Sequence, residues 1–361
     1  MGCYLCITLL VTILLCCILT IKRGDTNSMA KTVVLFNHKG GVSKTTTTFN
    51  LAWKMTQLNK RVLLVDGDPQ CNLTGMFLGD EFDEYYENDK TKEMNIKDAV
   101  SVAFNGRPQP IKTIDCPKHV KNEKLYIIPG HMDLSEYESS LSLAMYSNNA
   151  IVTLQNLPGA FYELIRLCAE QYSIDYVFID MNPGLSAINQ TFFIYCDAFI
   201  VPTNPDPFSL MALKTLETTL PRWKKWAAQA RETFENSSYP LPETEMRFIG
   251  ELIQRFSLRN QKAAKPYTAK IEEIKNFVNS SFADAMEKND MLFTREEEFC
   301  LGEIPEFGAL IQKANDAMLP VFALDKESMG TVGNIYDNME QKREMFDDIF
   351  TIIARTVLEH V

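Results

Sequence analysis

Short apolar runs that stop abruptly at polar turn residues punctuate the first two thirds of the chain. Thr32 to Asn37 (TVVLFN), Arg61 to Val65 (RVLLV), Leu125 to Ile128 (LYII), Tyr176 to Ile179 (YVFI), Ala198 to Val201 (AFIV) and Arg247 to Ile253 read as strands. A helical stretch through about Leu58 joins the first two, an order that sets them parallel in one sheet. These strands run into polar loops at their C-terminal ends, among them His38-Lys-Gly-Gly, Asp66-Gly-Asp-Pro, Pro129-Gly130 and Asp180. The pattern predicts an α/β fold, a doubly wound and mostly parallel sheet whose ligands bind at the carboxyl edge of the strands. From Gln261 onward the chain reads as mainly helical, with Phe346, Ile349, Phe350, Ile353 and Val357 at helical spacing.

Two stretches depart from this rhythm. Asp80 to Lys97 is strongly charged and reads as a surface insertion, followed by a helix over Asn95 to Phe104. At the other extreme, Cys3 to Ile21 carries no charge and is closed by Lys22 and Arg23. Its length suits a bilayer anchor with the rest of the chain on the cytoplasmic side. The alternative reading starts translation at Met29, which leads directly into the first strand. Either way the chain divides into residues 1–28 and a domain over residues 29–361, of which 261–361 is mainly helical.

Composition narrows the field of functions. At 361 residues, 46% hydrophobic and 23% charged, the chain is that of an ordinary globular protein. Its net charge of -11 excludes a protein that coats nucleic acid with its whole surface, and leaves room for a confined basic patch. Of nine cysteines, Cys71, Cys116, Cys168, Cys196 and Cys300 are scattered singly through the globular part. That is neither a disulfide framework nor a metal-site spacing, and it suits a reducing cytosol.

The chemistry concentrates in Lys39-Gly-Gly-Val-Ser-Lys-Thr-Thr, between a strand and a helix. Gly40 and Gly41 let backbone N–H groups turn toward an anion, and the helix beginning near Lys44 points its positive end at the same place. Lys44 is placed to contact β and γ phosphates, and Thr45 to give its hydroxyl to Mg²⁺. The standard G-x-x-x-x-G-K-[ST] spacing is not met, since His38 and Ser43 stand at its two glycine positions. Downstream, VDGDPQCNLT offers Asp66 and Asp68, and YVFIDMNPG offers Asp180 at a strand end.

Together these motifs resemble the deviant Walker A ATPases of the ParA/MinD family, the ParA-like partitioning branch in particular, over roughly Lys31 to Phe256. The resemblance implies that Gly40, Gly41, Val42, Ser43, Lys44, Thr45 and Thr46 bind ATP, and that Thr45, Asp66 and Asp180 serve the Mg²⁺ region. It further implies that Asp68 orients the attacking water, and that Lys39 reaches the nucleotide of a partner subunit in a sandwich homodimer. Family members usually have Gly where Ser43 stands, and Pro-Pro-Ser near Met181 to Gly184. Pro202 to Leu210 resembles the family's loop over the adenine.

ParA-branch relatives bind nonspecific DNA and respond to an adaptor protein that stimulates hydrolysis, which makes a nucleoid-associated cytoplasmic ATPase the leading reading. Arg222-Trp-Lys-Lys-Trp with Arg231, and the run of Arg255, Arg259, Lys262, Lys265 and Lys270, are the candidate DNA patches. The alternatives are a MinD-like positioning ATPase, held at the membrane through residues 3–21, and a P-loop small-molecule ligase or kinase. An iron-sulfur ATPase would need paired cysteines that the sequence does not offer.

Overall fold

The computed structural model describes residues 29–146, 152–259 and 262–361. In chain order its principal elements are β1 (Lys31–Leu35), α1 (Lys44–Gln57), β2 (Val62–Gly67), α2 (Asn72–Leu78), α3 (Ile96–Phe104), β3 (Lys118–His119), β4 (Asn122–Ile128), α4 (Leu157–Gln171) and β5 (Tyr176–Met181). There follow α5 (Ala187–Phe193), β6 (Ala198–Thr203), α6 (Pro207–Thr233), β7 (Arg247–Gln254), a small hairpin of β8 (Leu258–Arg259) and β9 (Lys262–Ala263), α7 (Lys265–Phe277), β10 (Cys300–Ile304), α8 (Ala309–Asp316) and α9 (Asn334–His360).

The strands form a sheet in the order β10-β7-β6-β1-β5-β2-β4-β3, parallel throughout except where β3 pairs antiparallel with β4. This is the doubly wound α/β fold that the apolar runs predict. Alternate residues supply two cores, one on each face. Val34, Leu63, Val177 and Phe199 face one, Val33, Leu64, Phe178 and Ile200 the other.

The C-terminal stretch is less uniform than its helical reading. β10 lies within it and pairs with β7, so the sheet gains an edge strand that the sequence does not announce. Its CLGEI sequence carries a glycine and a glutamate and is only partly buried, which removes the apolar signal. α9 covers this edge and also packs against α1. Its Phe346, Phe350, Ile353 and Val357 are fully buried, each contributing about 1.5–3 kcal/mol. Lys54 of α1 anchors it further through Asp347 (2.5 Å).

The charged segment after α2 is largely exposed, tied down by Tyr85 Oη to the Met94 carbonyl and Tyr86 Oη to the Gly130 carbonyl. Asn95 caps α3 by accepting the N–H groups of Lys97 and Asp98. The apolar segment at residues 3–21 lies outside the described residues, among which no helix is long and apolar enough to cross a membrane.

Candidate active site

The loop between β1 and α1 is held from both sides. Asn37 donates its Nδ2 to the Pro202 carbonyl (2.8 Å), and its Oδ1 accepts the Lys39 N–H (3.0 Å). Gly41 then turns at φ +71°, and Ser43 follows at φ +56° immediately before α1. The left-handed conformation at Ser43 is one that glycine adopts freely and a Cβ resists by about 1–2 kcal/mol. That explains why the resembling family favours Gly at this position. The unpaired N–H groups of the first turn of α1 face the same loop.

Lys44 is buried beneath the loop, its Nζ donating to the carbonyls of Asn37 (2.9 Å) and Lys39 (3.2 Å). Burial lowers its pKa, while Asp180 and Asp68 work in the opposite sense. Lys44, Thr45 and Asp68 line a cavity of about 510 Å³ with Gly40 to Ser43, Thr46, Pro183 and Arg255. A second cavity of about 330 Å³ adjoins it, sharing Ser43, Thr46 and Arg255 and walled by Ile304, Pro305, Phe307 and Ile311.

Three carboxylates stand at the ends of β2 and β5, and they are not equivalent. Asp180 is fully buried, and both its oxygens lack a well-formed hydrogen bond among the described residues. Burial and the neighbouring Asp66 push it up to about 7, against the pull of the Thr45 hydroxyl and the Lys44 ammonium. Orphaned carboxylate oxygens beside a threonine hydroxyl suit a hard cation.

Asp66 is differently engaged. Its Oδ2 accepts the N–H and hydroxyl of Thr74 (2.8 and 2.7 Å), and its Oδ1 accepts the Asp68 N–H (3.2 Å). Burial raises it to about 6 while the Thr74 and Asp68 bonds lower it. The metal expectation for Asp66 therefore meets a carboxylate already occupied with donors, one that fixes the β2–α2 turn. Asp68, its Oδ1 accepting the Gln70 N–H (2.9 Å), is the member of the pair that reaches the cavity. Gly67 between them allows the close approach of β2 to β5, because a Cβ there would lie 2.7 Å from the Phe192 ring and 2.9 Å from the Asp180 carbonyl.

The structure also brings in side chains to which the sequence reading gave no such place. Lys39 pairs within its own chain with Asp206 and donates to Ser209 Oγ (3.1 Å), at the N-terminal cap of α6. Gln254 Oε1 accepts the Thr47 hydroxyl (2.8 Å), and the Gly41 carbonyl accepts both Asn204 Nδ2 (3.1 Å) and Arg255 Nη1 (2.6 Å). Their signal was positional: each follows or ends a parallel strand. The loop after β5 is pinned by Asn189, whose Nδ2 donates to the carbonyls of Asn182 and Gly184 (3.0 Å each).

Of the basic stretches, the one on α6 is partly consumed inside the chain. Arg231 donates to the Pro242 carbonyl, Lys224 pairs with Asp290 (3.7 Å), and Trp223 is buried. Arg255 reaches the phosphate loop, where it donates to the Gly41 carbonyl, while Lys265 and Lys270 belong to α7.

A strand, a glycine turn, a buried lysine and a helix N-terminus, with acids at the ends of two neighbouring strands, define a P-loop nucleotide-binding site. The AAA domain family AAA_31 matches residues 30–232, more than half of the chain. The chain belongs to this family, among the ParA-like P-loop ATPases.

An uncharacterised protein of Mycobacterium tuberculosis is 33% identical over 193 residues, 53% of this chain and 52% of that protein. The chromosome partitioning protein ParA of Myxococcus xanthus is 29% identical over 201 residues, 55% of this chain and 61% of that one. Each match thus takes in less than two thirds of the relative's own length. Among solved structures, the Corynebacterium diphtheriae protein DIP2308 is 25% identical with a TM-score of 0.59, covering 80% of this chain and 97% of that one.

Proposed function

We propose that residues 29–361 form one Mg-ATP-dependent switch ATPase of the ParA type, which hydrolyses ATP to ADP and phosphate. The observation that carries this reading is the convergence of Lys44, Thr45, Asp68 and Asp180 on one phosphate loop. The loop N–H groups from Gly40 to Thr46 and the Lys44 ammonium hold the β and γ phosphates, and Asp68 orients the attacking water. Thr45 and Asp180 would hold Mg²⁺, which when bound would supply positive charge to the phosphate oxygens. Asp66 sets the position of Asp68 through its backbone N–H. The nucleoside occupies the neighbouring apolar cavity beside Phe307.

In this reading Lys39 leaves Asp206 and Ser209 to reach the nucleotide of a second copy in an ATP-dependent homodimer. Phe208 and Met211, large exposed apolar residues beside Asp206, and Leu185 beyond Gly184 support a protein-binding face here. Nonspecific DNA and a hydrolysis-stimulating adaptor are the proposed partners, and partitioning or cargo positioning in the cytoplasm the proposed use. A membrane role through α9 is disfavoured because its apolar face is already buried on α1 and β10.

ATP turnover by the full chain and by Lys39→Ala, with and without duplex DNA, alongside light scattering, tests the proposal. Dimers that require ATP, bind DNA and fail in Lys39→Ala are the expected result. Monomeric turnover indifferent to Lys39 would overturn the switch and favour a P-loop ligase or kinase.

A further inference from the structure

Arg255 is the first residue after β7 and adopts φ +61°, a conformation that resists a side chain. Its backbone is fixed on both sides. The Arg255 N–H donates to the Ile304 carbonyl (3.0 Å), and the preceding Gln254 accepts the Thr47 hydroxyl (2.8 Å). The strained backbone thus aims the side chain across the phosphate loop, where Nη1 donates to the Gly41 carbonyl (2.6 Å).

Charge makes the placement informative. Lys39 is paired with Asp206, and Lys44 faces Asp180 and Asp68. Arg255 forms no ion pair among the described residues, and the Gly41 bond uses one of its five donors. It borders both the phosphate cavity and the adjoining apolar cavity, at the seam that a nucleotide spanning the two would cross. A neutral carbonyl is a weaker acceptor for a guanidinium than an anionic phosphate oxygen.

Building on the ATP reading above, we infer that Arg255 is a nucleotide-binding residue acting within its own subunit, its guanidinium engaging the polyphosphate chain between the two cavities. The Gly41 carbonyl holds the side chain in position until phosphate oxygens replace it. This separates Arg255 from the basic run in which the sequence places it and gives it a different ligand from DNA.

The test measures ATP and ADP affinity of the full-length wild type, Arg255→Gln and Arg255→Lys by calorimetry at several salt concentrations, with thermal unfolding as the folding control. Arg255→Gln is expected to weaken both nucleotides about tenfold or more and to flatten the salt dependence of binding. Arg255→Lys keeps the charge, and so retains the salt dependence while losing part of the affinity. A loss in Arg255→Gln with unchanged salt dependence would mean a clasp on Gly41 alone and overturns the inference. Unchanged affinity, or a loss confined to duplex DNA, overturns it as well. Folded wild type that binds no nucleotide sinks the ATP reading itself, whereas wild-type binding with Arg255→Gln intact removes only the role of Arg255.

Discussion

Asp180 on β5 and Glu251 on β7 are both fully buried in the parallel sheet, and neither has a well-formed hydrogen bond among the described residues. Burial raises both, Asp180 to about 7 and Glu251 to about 8. Their neighbours differ. Asp180 lies beside Lys44 and Thr45, which line the phosphate cavity, while Glu251 lies under the β10 edge. There the nearest cation, Lys275, is already bound to Glu303 (2.8 Å) and Glu298 (3.2 Å). An orphaned carboxylate is therefore not a site by itself. What marks Asp180 is a cation and a hydroxyl beside it, both carried by residues that line a ligand-sized cavity.

The sharpest division between the two regions is functional. Lys44→Ala should reduce nucleotide affinity by about 100-fold or more by calorimetry, because it removes a buried charged donor to the phosphates, whereas Glu251→Gln should leave it unchanged. Loss of binding in both variants would break the distinction. The Asp180 side can also be disturbed without touching a charge. Gly67→Ala forces a Cβ against the Phe192 ring and the Asp180 carbonyl, and should cost about 1–3 kcal/mol in denaturant unfolding.

Titration isolates the Glu251 side. The folded chain keeps the Glu251 proton up to about pH 8, while an unfolded carboxyl loses it near 4.5. Between those values the folded state binds the extra proton. Its stabilising effect is therefore complete below 4.5, falls as pH rises, and is gone above 8, with a slope of at most about 1.4 kcal/mol per pH unit. Glu251→Gln should flatten the unfolding free energy across this window by that amount, and an unaltered slope would refute the assignment. The smallest effect belongs to the loop. Ser43→Gly relieves a left-handed residue and should raise stability by about 0.5–1 kcal/mol after the added freedom of the unfolded chain is counted, read from the melting temperature.

Much of this architecture is legible in the chain. β1, β2, β4, β5 and β6 fall where short apolar runs meet polar turns, because a strand covered on both faces is mostly apolar, and β7 keeps enough apolar residues around Gly250 and Glu251 to read the same way. Asp68 and Asp180 stand where β2 and β5 run into polar turns, and Lys44 and Thr45 open the helix after the glycine turn, so all four were legible as candidates from local order. β10 was not, since an edge strand of CLGEI is partly solvated and carries little apolar signal. Asp206 and Arg255 were visible as charges but not as neighbours of the loop, because adjacency across β6 and β7 depends on strand order.

The sequence by itself determined the parallel sheet, its ligand-binding edge and the phosphate loop, because all three are written in local order: strand, turn, helix. Tertiary structure alone decided which distant residues meet. It set Lys39 on Asp206 and laid Arg255 on Gly41. Those contacts follow from the strand order and from how helices pack across it, and neither is encoded in the spacing of residues along the chain.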